Sequence, residues 1–111
     1  MGLPSREVPE IDLKTAVAEV IAGERHNASS GRASVPYELE SLRRGTDLRL
    51  DGKRAATIEL ASAATGVKLR QLEVVALHDG HIHRITLSAE RGRYAADRDA
   101  FLAVLDTWRW R

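Results

Sequence analysis

Two different spacings of apolar residues divide the chain. Between Ile11 and Arg25, Ile11, Ala16, Val17, Val20 and Ile21 recur at helical spacing and predict an amphipathic helix. Asp12 or the Pro9-Glu10 pair supplies its start signal, and Gly23 weakens its end. From His26 to Pro36 the clustered Asn27, Ser29, Ser30, Gly31 and Pro36 predict a loop. After Pro36 the period becomes two, the spacing of strands. Strands are expected at Glu38–Arg44, Leu48–Leu50, Arg54–Ala63, Lys68–His78 and His81–Ala89. Helical spacing returns over Ala95–Thr107, where Phe101, Val104, Leu105 and Trp108 form the apolar stripe.

The turns fix part of the pairing. Asp79-Gly80 lies between two alternating runs, and a type I′ turn needs positive φ at both central positions. A two-residue loop there pairs His78 with His81, Ala76 with His83, Val74 with Ile85 and Leu72 with Leu87. Those eight side chains then share one face, apolar with histidines at its tip. Asp51-Gly52 predicts a second tight turn. A three-residue loop at Thr65-Gly66 would add Ile58 and Leu60 to the apolar face, opposite Val74 and Leu72, and keep Thr57 and Glu59 off it. The result is an α+β fold: an antiparallel meander with an N-terminal and a C-terminal helix packed on one face. Phe101, Leu105 and Trp108 are expected to pack on Ile58, Leu72, Val74 and Ile85.

At 111 residues the chain is one domain, 1–111, with residues 1–10 as a flexible N-terminus. Its 17 basic and 16 acidic residues leave a net charge of +1, too balanced for a dedicated nucleic-acid binder. The Arg43, Arg44, Arg49, Lys53 and Arg54 cluster is interrupted by Asp47 and Asp51 and lacks interleaved aromatics, which again argues against nucleic acid. No run is long and apolar enough for a signal peptide or a membrane span, so a cytoplasmic place follows if Met1 is the native start. With no cysteine, a disulfide framework, a Cys zinc site and a thiol nucleophile are excluded, while the compartment stays open.

Several features of the second half carry a resemblance. Gly52-Lys53-Arg54-Ala55-Ala56-Thr57-Ile58-Glu59 enters a strand, and Val74-Val75-Ala76-Leu77-His78-Asp79-Gly80 closes another on a hairpin. Arg84-Ile85-Thr86-Leu87-Ser88-Ala89 follows, and Phe101-Leu102-Ala103-Val104-Leu105-Asp106-Thr107-Trp108 ends the last helix. This order resembles the PsbP-like superfamily, in particular its actinobacterial LpqN-type and DcrB-type members, over about residues 11–110. The opening strands usual in that family are missing. The resemblance implies a non-catalytic adaptor or chaperone-like protein and brings no catalytic residues with it.

Candidate chemistry is sparse. His78, His81 and His83 share a face, and three imidazoles are a possible metal set; a solvated hairpin tip is the plainer reading. No phosphate-binding glycine loop and no nucleophile elbow occur, and no cofactor is expected. The first functional reading is a non-catalytic binding module for an apolar partner segment or lipid-like ligand, with Trp108, Trp110, Tyr94, Leu48 and Leu50 as contact residues. The alternative is a small enzyme of cyclase, isomerase or hydrolase type acting on an apolar substrate. There His81 or His83 would be the general base, with Tyr94 or Arg84 polarising a carbonyl. A homodimer or tight protein complex is expected, because Glu38–Leu50 should form an uncovered sheet edge and Trp110 lacks an evident slot.

Overall fold

The computed structural model describes residues 12–30, 38–64 and 66–110, with side chains at 27–30 and 64 left aside. The flexible N-terminus expected over 1–10, most of the predicted loop before Pro36, and Tyr37 lie outside the described residues. Helix α1 spans Leu13–Ser30, followed by strands β1 (Glu38–Arg44), β2 (Leu48–Leu50), β3 (Lys53–Ala64), β4 (Val67–His78) and β5 (His81–Glu90), and helix α2 (Tyr94–Leu105). Asp12 caps α1, its Oδ1 accepting the Thr15 backbone N–H at 2.7 Å; the Thr15 hydroxyl, and then this backbone bond, hold the Asp12 carboxyl below the usual range. The helix passes through Gly23 and reaches Ser30, five residues beyond the predicted Arg25.

The sheet is antiparallel, in the order β1-β3-β4-β5, with β2 also on β3. β1 and β2 are two pieces of one edge strand, broken where Gly45, Thr46 and Asp47 stand opposite Ala56 and Thr57. The β4–β5 hairpin has the predicted register, from His78↔His81 to Leu72↔Leu87, and Asp79 and Gly80 have φ of 50° and 75°. Asp51 and Gly52, at 49° and 83°, make the same kind of turn between β2 and β3.

The class is the predicted α+β, an antiparallel sheet with one helix from each end packed against it. Two details differ, and they share a cause. The β3–β4 register runs from Ala64↔Val67 and places Glu59 opposite Leu72 and Thr57 opposite Val74, so the loop is two residues long rather than three. Ile58 and Leu60 consequently face Glu73 and Gln71 on the other side of the sheet. There Ala56, Ile58, Leu60 and Val75 are buried under Ala16, Val17 and Val20 of α1. On the opposite face Leu50, Ala55, Val74 and Ala76 are buried under Leu105 of α2, with Phe101 and Trp108 packed alongside. The helices therefore lie on opposite faces and the molecule has three layers. Sequence reading assigned one apolar face, whereas β4 is apolar on both because each is covered. Phe101, Leu105 and Trp108 pack on Val74, Ile85 and their neighbours but not on Ile58, which lies beyond the sheet. Val104, expected in the stripe, is 63% exposed. Among the described residues no helix is long and apolar enough to cross a membrane.

Candidate functional site

The histidine tip is occupied by the chain itself. The Trp110 indole stacks on His78 at 4.2 Å between ring centroids and meets His83 edge-on at 5.1 Å. Its Nε1–H donates to the Leu50 carbonyl at 2.9 Å, and its backbone N–H donates to Asp51 Oδ2 at 3.1 Å. Trp110 thus has an intrachain slot, against the sequence expectation, and seals Leu50, which is fully buried. Lys53 Nζ donates to His78 Nδ1 at 2.6 Å, and the other ring nitrogen lies 3.3 Å from the Asp79 carboxylate. His78 and His83 are 6.2 Å apart between centroids, and His81 is exposed. With the indole packed on two of the three rings, the candidate metal triad does not converge. Among the described residues no group of three His, Asp or Glu is placed to hold a metal ion.

The residues proposed for the enzymatic alternative are also kept apart. His83 stands opposite Ala76 at one end of the hairpin, whereas Tyr94 packs with Leu72 and Ala89. Four residues of strand, about 13 Å, separate those levels. Burial, then the nearby Glu59 charge, pushes the Tyr94 hydroxyl above its ordinary range, and it is buried without a hydrogen-bond partner. Arg84 points to the α1 face, where its Nη2 donates to Glu73 at 2.5 Å and Glu24 at 2.6 Å. Base and polarising group therefore sit on different faces or at different ends.

That α1-face trio has a consequence for stability. Glu73 is 4% exposed, and burial, reinforced by Glu24 and opposed by Arg84, pushes its carboxyl up to about 6 from an ordinary 4.5. A carboxyl raised by folding makes the fold costlier when ionised, so the cost is present above the folded value and relieved as pH falls toward 4.5. A shift of this size corresponds to on the order of 2 kcal/mol. Urea unfolding at pH 7.5 and 4.5 should therefore show a gain of about that size from Glu73 on acidification, present in the native chain and absent in Glu73→Gln. Equal pH slopes in the two proteins would contradict it.

An open groove lies on the α2 face beside the edge strand, with a volume of 560 Å³. The break between β1 and β2 creates it. Gly45 donates its N–H to the Thr57 carbonyl at 3.0 Å, and Thr57 Oγ1 donates back to the Thr46 carbonyl at 2.9 Å. A Cβ on Gly45 would collide with that Thr57 hydroxyl, so glycine is what permits the close approach. The chain then swings out, and the space between it and α2 is lined by Leu48, Thr57, Glu59, Leu72, Arg98 and Leu102, with Arg43, Arg44 and Asp47 at the rim. Arg43 pairs with Glu59 at 3.3 Å; Arg44 and Arg54 share Asp47 at 3.0 and 2.7 Å. The Arg54 bond above all holds the Asp47 carboxyl low. Arg98 faces them from α2 without an ion-pair partner among the described residues, leaving the groove net positive over a leucine floor.

Of the predicted contact residues, only Leu48 lines this groove; Leu50, Trp108 and Trp110 belong to the core beneath α2, and Tyr94 to the cluster with Leu72 and Ala89. Sequence reasoning missed Arg98, Leu102, Thr57 and Gly45. The available signal was Gly45-Thr46-Asp47 interrupting two alternating runs. Comparison with known proteins finds no matching family model, no matching curated protein and no matching solved structure.

Proposed function

We propose that this chain is a non-catalytic binding module whose groove holds an extended partner segment that is apolar along its length and carries an acidic group. The carrying observation is the groove itself: a leucine floor of Leu48, Leu72 and Leu102 with the uncompensated Arg98 at its wall. The two helices cover the cores on both faces of the sheet, and in this groove apolar surface and an arginine unpaired among the described residues coincide. A volume of 560 Å³ is within the usual range for ligand sites, about 300–1,000 Å³. An open groove suits a chain segment better than an enclosed small molecule. The adaptor or chaperone-like role implied by the PsbP-like resemblance agrees with this reading.

Selection of a phage-displayed random hexapeptide library against the protein tests it, with oleate as a lipid-like competitor. Peptides combining apolar positions with Asp, Glu or a free C-terminal carboxylate should be enriched. Arg98→Glu should weaken their binding at least tenfold, and Leu102→Asp should abolish it. Absence of enrichment, or binding indifferent to both substitutions, would overturn the proposal. Tight oleate binding with no peptide selected would replace the partner segment by a lipid-like ligand.

A further inference from the structure

The two edges of the sheet are built differently. The β1–β2 edge is interrupted between Leu39 and Ser41 and again at Gly45–Asp47, and it carries Glu38, Glu40, Arg43, Arg44 and Arg49. Those are the devices by which proteins keep an edge from pairing. β5 has fewer of them: it runs ten residues in unbroken register with β4, has no proline, and carries only Arg84 and Glu90 as formal charges at neutral pH. Among the described residues, no strand lies against its outer side.

Which backbone groups face outward follows from the turn. His78 and His81 flank a two-residue loop and form a hydrogen-bonded pair, so His83, Ile85, Leu87 and Ala89 also turn their N–H and C=O groups toward β4. Ile82, Arg84, Thr86 and Ser88 turn theirs to the open side. A second β5, antiparallel and related by a two-fold axis, can pair with these groups only in registers that oppose even-numbered residues to each other. One such register, centred on Leu87, sets Arg84 opposite Glu90 of the other copy, Thr86 opposite Ser88, and Ile85 opposite Ala89.

That register matches charge and apolar surface together. Glu90 is exposed and has no ion-pair partner among the described residues. Both recorded bonds of Arg84 leave from Nη2, so its remaining N–H groups are available for a third carboxylate. On the opposite face, half-buried Leu87 would meet its own counterpart, and half-buried Ile85 would lie against Ala89 of the other copy. Phe101 packs beside Leu87, and the exposed Val104 lies on the same flank of α2, turned away from the groove formed by Arg98 and Leu102.

We propose that a second copy of this chain pairs antiparallel with β5 in the register centred on Leu87, joining two sheets into one. This surface is separate from the groove, so either assignment can fail alone. Light scattering over a dilution series should give a mass near 25 kDa at high concentration, twice the 12.3 kDa of the chain. Glu90→Lys, at an exposed position, should raise the dimer dissociation constant about tenfold by replacing two attractive cross-strand pairs with repulsive ones. Thr86→Pro should abolish the dimer, since it removes an outward N–H and leaves the β4 ladder its donors.

Cross-linking reads the register directly, because the chain has no other cysteine. Leu87→Cys should form an intermolecular disulfide rapidly with copper phenanthroline, since residues at the centre of a non-hydrogen-bonded pair are about 4.5 Å apart at Cα. Ile85→Cys, two positions from the axis, should not. A 12 kDa mass at every concentration would overturn the proposal, as would equal cross-linking at the two positions. A dimer indifferent to both Glu90→Lys and Thr86→Pro would overturn it equally.

Discussion

Leu105→Ala should lower the free energy of unfolding by about 2–5 kcal/mol, enough to remove much of the stability of a domain this size. Leu105 is 4% exposed and is the residue through which α2 seals Leu50, Ala55, Val74 and Ala76. Two of those neighbours are alanines on a paired sheet, too short to move into the space a leucine leaves. The cavity would persist, which places the cost toward the upper part of the range. Urea denaturation followed by far-ultraviolet circular dichroism measures it. A midpoint shift worth less than about 1 kcal/mol would mean that α2 does not close this core.

Trp110→Ala should cost about 3 kcal/mol, the low end for tryptophan truncations because the ring is only half buried. The substitution removes the stack on His78, the edge contacts with His83 and Trp108, and the Nε1–H bond to the Leu50 carbonyl. Leu50, fully buried beneath it, would be opened to water. Trp110→Phe separates the terms: it keeps an aromatic ring but not the donor, and should recover more than half of the loss. If Trp110→Ala unfolds at the native midpoint, the indole contributes nothing as a clip between the β2 and β4 ends.

These two residues show how far the sequence was legible. The α2 stripe was readable because helical spacing is local, although it included Val104, which the sheet does not reach. The Asp79-Gly80 register was readable because positive φ at two adjacent positions permits essentially one kind of hairpin. The Thr65-Gly66 loop was not. Its length had to be inferred from which face should receive Thr57 and Glu59, and that inference assumed a single apolar face. Val75 and Leu77, alternating with Val74 and Ala76, were the local sign that both faces are covered. The place of Trp110 depends on a contact 60 residues away along the chain, beyond any periodicity. The groove was illegible for a similar reason: Arg98 and Gly45 come together only through the sheet.

The division into layers also divides the chain's optical signals. Tyr94, Phe101, Trp108 and Trp110 all pack on the α2 side, while the core under α1 consists of Ala, Val, Ile and Leu. Tryptophan fluorescence and most of the near-ultraviolet dichroism of the described residues therefore report on one side of the sheet. A species in which α1 has detached while α2 stays docked would fluoresce as native, so agreement between those two probes alone cannot establish two-state unfolding. Amide exchange along Ala16–Val20, set beside the fluorescence transition, supplies the missing view of the aliphatic side.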